Sequence, residues 1–296
     1  MAPICVLTID VEEYFHTAVF QQAVRRDRPH RGQDTGAGRR AFGSRLTEPL
    51  MWLLDALDSD RQRATFFWLG EVAESHPTLV REAASRGHEI GCHGYSHRSV
   101  KGMDLAAFRN EVLRACEAIA GACGQAPLGY RAPGFSLGPQ DRRFHEVLRD
   151  LGFKYDSSVF PTLLAGRDHA QAARRPWEVC PELWELPVAV PAWGLVRVPL
   201  GGVFFRTLPY WVTGLGVRKM EEDGSPAVLY FHPWEFDVGQ PRVGSVGPAG
   251  WARQYWGLAG NRTKFEKLCA GFRFTTALDM VRLWAKRESS SGLPHI

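Results

Sequence analysis

Two acids stand together where an apolar run ends near the N-terminus, in Leu7-Thr8-Ile9-Asp10-Val11-Glu12. Alternate residues of a strand point the same way, so Asp10 and Glu12 share one face while Val11 points to the other. Neighbouring carboxylates repel, and a cation or a proton between them relieves the repulsion. A solvated strand-to-loop turn could carry the same two acids by chance, so the pair gains meaning only from the rest of the chain. His93-Gly94-Tyr95-Ser96-His97 supplies the complement. Two histidines four apart can offer both imidazoles to one ion if the segment takes a helical turn. Two histidines and one carboxylate form a common open metal site, with positions left for water and substrate. Either Asp10 or Glu12 can supply that carboxylate.

Three further polar groups stand at expected strand ends. Arg131, in Arg131-Ala132-Pro133-Gly134-Phe135, can clamp a carboxylate. Pro133 and Gly134 make a rigid turn whose backbone N–H groups can face an oxyanion. Asp156 precedes Ser157-Ser158, and His232 ends the apolar run Leu229-Tyr230-Phe231. A lone histidine in that position is more often a satisfied structural residue than a catalyst. The weight lies in the set: five polar groups at the C-terminal ends of five strands, where parallel α/β folds build their active sites.

Those strands must be positioned by helices, and the apolar spacing alternates accordingly. Leu46, Leu50, Leu53, Leu54 and Leu57 predict a helix over 45–59, and Ala64 to Leu69 a buried strand. A helix with Pro77 near its start and Gly87 past its end leads to a strand over 88–92. Asp104 caps a helix whose buried face is Leu105, Phe108, Val112, Cys116 and Ile119. A strand and turn over 128–133, a helix marked by Phe144, Val147, Leu148 and Leu151, and a strand at 153–156 follow. Residues 160–206 break the rhythm and read as an insertion of loops with a small hairpin. It resumes with a helix near 208–221, a strand over 227–231, a helix near 252–270, a strand over 272–274 and a last helix from Thr276. The expected class is α/β, a mostly parallel sheet, open or closed into a barrel. One domain is expected over 1–285, with 237–285 as a C-terminal extension and 286–296 as a disordered tail. The Arg- and Gly-rich residues 25–45 read as a solvated loop.

The chain has 296 residues, enough for one large α/β domain. A net charge of +4 is too mild to argue for nucleic acid, and no nucleic-acid-binding signature appears. No apolar run reaches the roughly 18 residues of a membrane helix. No signal peptide is visible, and the six scattered cysteines read as reduced thiols, so a cytoplasmic location is expected.

In order and spacing these motifs resemble the NodB-type polysaccharide deacetylases, carbohydrate esterase family 4. Thr8-Ile9-Asp10 looks like the first motif of that family, and Gly87 to His97 closely resembles its metal-binding second motif. Arg131 to Gly134 is similar to the third, Asp156-Ser157-Ser158 to the fourth, and Leu229 to His232 to the fifth. Asp10 to Phe15, Leu183-Trp184-Glu185-Leu186-Pro187 and Tyr230 to Glu235 look like the subgroup linked to exopolysaccharide and exosortase (PEP-CTERM) loci. The resemblance implies a distorted (β/α) barrel and a metal-dependent hydrolase that removes an N-acetyl group from an N-acetylated carbohydrate. Most of the family has two adjacent Asp residues in motif one, the first as base and the second on the metal. Val11 occupies the second place here, and the same-face argument offers Glu12 instead. The resemblance then implies Glu12, His93 and His97 as ligands of a divalent ion, Zn²⁺ first, with Co²⁺ or another ion as alternatives. It implies Asp10 as base with Arg131 as its partner, and His232 as acid, with Asp156 supporting either His232 or, from behind, Arg131. Gly134 with Pro133 would face the oxyanion, and Trp234, like Trp184, Trp193 and Tyr230, would suit sugar stacking, with core packing the alternative for each and the expected role of most. Val11 also leaves open a metal-independent amidohydrolase on the same fold. A silent glycan-binding or scaffold protein is the third reading, and five chemically competent motif positions stand against it.

Overall fold

The first strand shows how the barrel is built. In β1 (Ile4–Val11), Cys5, Leu7, Ile9 and Val11 enter the core beneath the helices. Val6 points to the other face and packs with Phe67, Tyr155, Val228 and Tyr230 inside the curl of the sheet. Thr8 and Asp10 share that inner face, so the period-2 alternation delivers polar groups to the interior at the strand's C-terminal end. The computed structural model describes residues 4–27, 42–243 and 246–291.

Around β1 lie β2 (Thr65–Trp68), β3 (Glu89–Cys92), β4 (Gly129–Tyr130), β5 (Tyr155–Asp156), β6 (Trp177–Cys180), β7 (Leu183–Glu185), the separate pair β8 (Ala192–Trp193) and β9 (Val196–Arg197), β10 (Ala227–Phe231) and β11 (Arg273–Thr275). The main sheet runs β10-β1-β2-β3-β4-β5-β7-β6 and is parallel except for the β6–β7 hairpin. β1 is central: it pairs with β10 over residues 5–9, and on its other edge with β11 over 4–6 and β2 over 8–11. Beyond β7 the chain stays extended and crosses the open side. The Leu186 N–H bonds Asp156 O at 2.8 Å, Val188 bonds Val159 at 3.1 Å, and Ala189 bonds Val228 at 2.8 Å. These bonds draw the curled sheet toward a distorted barrel, as expected.

The helices are α1 (Ala18–Asp27), α2 (Thr47–Ser59), α3 (Gly70–Ser75), α4 (Pro77–Ser85), α5 (Leu105–Cys123), α6 (Arg142–Asp150), α7 (Arg167–Gln171), α8 (Gly202–Thr207), α9 (Tyr210–Glu222), α10 (Pro248–Tyr255), α11 (Leu258–Gly271) and α12 (Ala277–Ser291). Asp104 caps α5 as expected, accepting from the Ala107 N–H at 2.7 Å. Its buried stripe is Phe108, Val112, Ala115 and Ile119, with Leu105 and Cys116 at the margins.

Four expectations need correction. The helix expected over 252–270 is two helices, because Gly257 takes a left-handed φ of 79° and a Cβ there would meet Arg206 O at 2.4 Å. The 160–206 segment is not wholly an insertion: β7 pairs in parallel with β5 in the main sheet, and the separate hairpin is β8–β9. The tail expected from 286 is helical to Ser291, with the Ser289 and Ser290 hydroxyls bonded to Ala285 and Lys286 carbonyls. The loop expected over 25–45 begins inside α1, and its residues 28–41 lie outside the described residues.

Candidate active site

The carboxylates come first. Asp10 and Glu12 are both buried and both line a cavity of about 450 Å³ at the C-terminal ends of the strands. Arg131, fully buried just past β4, donates from Nη1 to Asp10 Oδ1 at 2.7 Å and to Thr8 Oγ1 at 2.7 Å. Its Nε donates to Ser157 O at 2.9 Å and Nη2 to Ser157 Oγ at 2.8 Å, and its guanidinium lies 4.4 Å from the Phe67 ring centre. A guanidinium with its donors placed in this way cannot turn, so it fixes the orientation of Asp10.

Glu12 has two different oxygens. Oε1 accepts from Trp234 Nε1 at 3.0 Å, while the buried Oε2 lies 2.5 Å from His97 Nε2. His93 Nδ1 sits 2.8 Å from Arg131 O. A carbonyl only accepts, so Nδ1 carries the proton and Nε2 keeps its lone pair. Glu12, His93 and His97 each offer one ligand atom, all within 4.8 Å of one another. A buried carboxylate oxygen beside two imidazole nitrogens, one with its tautomer fixed from behind, fits a divalent ion. Burial pushes the His93 imidazole down to about 4, keeping it in the neutral form that coordination needs. Burial alone would raise Glu12, but His97 beside it, then His232 and His93, hold it well below the usual carboxylate range.

The two histidines converge by a different route from the one expected. The segment is not helical: Gly94 and His97 take left-handed φ values of 75° and 57°. The loop is held from outside, by Gly70 N–H on Gly94 O at 2.9 Å and by Glu111 accepting from Ser96 N at 2.9 Å. A non-glycine residue in the left-handed region stores strain of the kind that gathers at functional sites. His16, missed in the sequence, backs the site: its ring stacks on His97 at 5.7 Å and its Nε2 lies 2.9 Å from Glu71.

On the opposite wall, His232 Nε2 lies 3.9 Å from Asp10 Oδ2 and 3.8 Å from Glu12 Oε1. Its Nδ1 lies 3.1 Å from Glu235 Oε2, and Glu235 is held in turn by Arg206 Nε at 2.8 Å. Arg206 is also buried and donates to the carbonyls of Arg253 and Trp256. Burial alone would discharge His232, but the Glu235 hydrogen bond, helped by the charges of Glu12 and Asp10, outweighs it and pushes the imidazole up to about 9. Glu235 and Arg206 are two further residues of the site missed in the sequence. The available signal for Glu235 was its place three residues after His232, where its carboxylate accepts from the His232 N–H at 3.1 Å.

Three sequence assignments change. Asp156 does not support His232: Tyr155 faces the inside of the curl, so Asp156 points outward, 3.4 Å from His145 of α6. The inward residue is the next one, Ser157, which holds Arg131. Trp234 lines the cavity, but its indole N–H binds Glu12 and its ring stacks on His232 at 5.1 Å, so it positions those two residues. Pro133 is buried and does not line the cavity, whereas Gly134, with φ 61°, does.

Among known families, residues 45–155 match the polysaccharide deacetylases and residues 157–282 match a domain of unknown function (DUF3473). A peptidoglycan-N-acetylglucosamine deacetylase from Bacillus cereus is 38% identical over 81 residues, 27% of this chain and 30% of its own. A chitooligosaccharide deacetylase from Bradyrhizobium is 38% identical over 90 residues, 30% of this chain and 41% of its own. The chain thus spans well under half the length of these curated relatives. The structure of a candidate polysaccharide deacetylase from Mycobacterium smegmatis superposes with a TM-score of 0.61 at 22% identity, covering 100% of this chain and 96% of that one, and so shares the fold.

Proposed function

We propose that the chain, whose residues 45–155 match the polysaccharide deacetylases, hydrolyses the N-acetyl group of an N-acetylated carbohydrate, releasing acetate, a reading its similarity to curated deacetylases supports. The observation that carries this reading is the convergence of the Glu12, His93 and His97 ligand atoms beside Asp10 and His232 in one cavity. Glu12, His93 and His97 would hold a divalent ion, with Zn²⁺ the first choice for two imidazoles and a carboxylate. When bound, such an ion supplies a Lewis acid for the amide carbonyl and an acidified water.

The chain's own residues do the rest. Asp10, fixed by Arg131, takes the proton of the attacking water. His232, kept charged by Glu235, gives its Nε2 proton to the departing amine. Gly134, at the cavity wall, offers a backbone N–H toward the developing oxyanion. The resemblance of Leu183–Pro187 and Tyr230–Glu235 to the exopolysaccharide-locus subgroup supports a role in exopolysaccharide biosynthesis. Among the described residues no helix is long and apolar enough to cross a membrane.

The test is acetate release from N-acetylated sugar oligomers by zinc-loaded protein, beside Asp10→Asn. The wild type should turn over, and the variant should lose turnover while keeping its metal. Wild-type activity in Asp10→Asn would remove Asp10 as the base.

A further inference from the structure

A second group of ligand-type side chains lies on the outer side of the sheet, away from the cavity. His145 of α6, Asp156 at the end of β5 and Glu185 at the end of β7 are each 0% exposed, and their ligand atoms lie within 4.8 Å of one another. Each carboxylate is half satisfied. Asp156 Oδ1 accepts from Ser158 Oγ, and Glu185 Oε1 accepts from the Val159 N–H at 2.9 Å. The other two oxygens, Asp156 Oδ2 and Glu185 Oε2, have no hydrogen-bond partner among the described residues, and neither has either nitrogen of His145. Buried polar atoms are rarely left unpaired, and here several face one another.

The spacing is informative. His145 Nε2 lies 3.4 Å from Asp156 Oδ2, which is long for a hydrogen bond. Zinc–ligand bonds of about 2.0–2.1 Å at tetrahedral angles put neighbouring ligand atoms roughly 3.3–3.4 Å apart. Two carboxylates also balance a doubly charged ion, and a neutral imidazole completes a nitrogen–oxygen donor set.

We propose that His145, Asp156 and Glu185 bind a second divalent cation, structural rather than catalytic. It would tie α6 to β5 and β7, the strands next to the Ser157 that holds Arg131. A buried water would complete its coordination.

The test is metal content by mass spectrometry of full-length protein purified with Zn²⁺, together with visible absorption after Co²⁺ loading. The Glu12→Ala/His93→Ala variant leaves this cluster untouched and isolates it from the cavity site. The expected result is two ions in the wild type and one in that variant, with a tetrahedral Co²⁺ absorption that disappears when His145→Gln is added. The reciprocal variant, His145→Gln/Glu185→Gln, should keep one ion. One ion in the wild type and none in Glu12→Ala/His93→Ala would overturn the proposal, leaving a shared proton or a water between the acids. Because the second ion is read in a variant that lacks the first site, its absence does not bear on the deacetylase reading.

Discussion

Among the described residues, two histidine–carboxylate clusters have nearly the same donors: Glu12, His93 and His97 inside the curl, and His145, Asp156 and Glu185 outside it. In both, part of the donor set is pinned from behind, by Trp234 and Arg131 O in the first and by Ser158 and Val159 in the second. What separates them is company and access. The inner cluster opens on a cavity and stands beside Asp10, held by Arg131, and His232, held by Glu235. The outer cluster is sealed among α6, β5 and β7, and none of its residues lines that cavity. A ligand set alone therefore does not make a catalytic centre; a held base, a held acid and room for substrate do.

The largest effects should come from breaking what only the inner cluster has. Asp10→Asn should lower kcat/KM by about 10²–10⁴-fold, the usual contribution of a general base, with bound metal unchanged by mass spectrometry. The same substitution in the outer cluster, Asp156→Asn, should leave kcat/KM of the folded protein within about threefold, because no catalytic step uses that carboxylate; a loss as large as that of Asp10→Asn would erase the distinction. Arg131→Met should cost about 3–5 kcal/mol of stability in denaturant unfolding, since it strands the buried Asp10 carboxylate without its partner.

The inner carboxylates and His232 were legible because they obey period-2 alternation at strand ends. Thr8, Asp10 and the strand-end His232 fall on the inner face, and the apolar runs before them mark the strands. Asp156 was misassigned by one step of the same rule: in so short a strand, only pairing partners reveal that Tyr155 faces inward. His145 gave no signal, since the apolar spacing of α6 drew attention to Phe144, Val147 and Leu148, yet His145 and Leu148 are its buried residues. Arg206 pairs with a residue 29 positions away, and no local pattern encodes such a contact. The left-handed turns that bring His93 and His97 together are equally hidden, because Gly94 announces a turn but His97 does not.

Glu235→Gln sharpens the contrast at the acid. It keeps the shape of the side chain but removes the charge that keeps His232 protonated. With a neutral partner the His232 pKa falls from about 9, so the protonated acid is lost at lower pH and the alkaline limb of kcat/KM moves toward neutrality. Loss of the orienting carboxylate should also cost part of the roughly 10²–10⁴-fold that a positioned general acid supplies. A pH–rate profile checks both, and an unmoved alkaline limb would show that His232 is not the group titrating there.

The smallest effect probes whether the two clusters are independent. Ser158 lies between them: its hydroxyl accepts from the Ala132 N–H at 2.8 Å, next to Arg131, and donates to Asp156 on the outer side. Ser158→Ala leaves both partners buried and unmet, which should cost about 1–3 kcal/mol of stability. If the clusters communicate only through this hydroxyl, Arg131→Met and Asp156→Asn should couple in the wild type and become additive in the Ser158→Ala background. A double-mutant cycle in denaturant reads the difference. Coupling that persists without the hydroxyl would mean that the strands themselves transmit it, through the β4–β5 pairing of Tyr130 with Asp156.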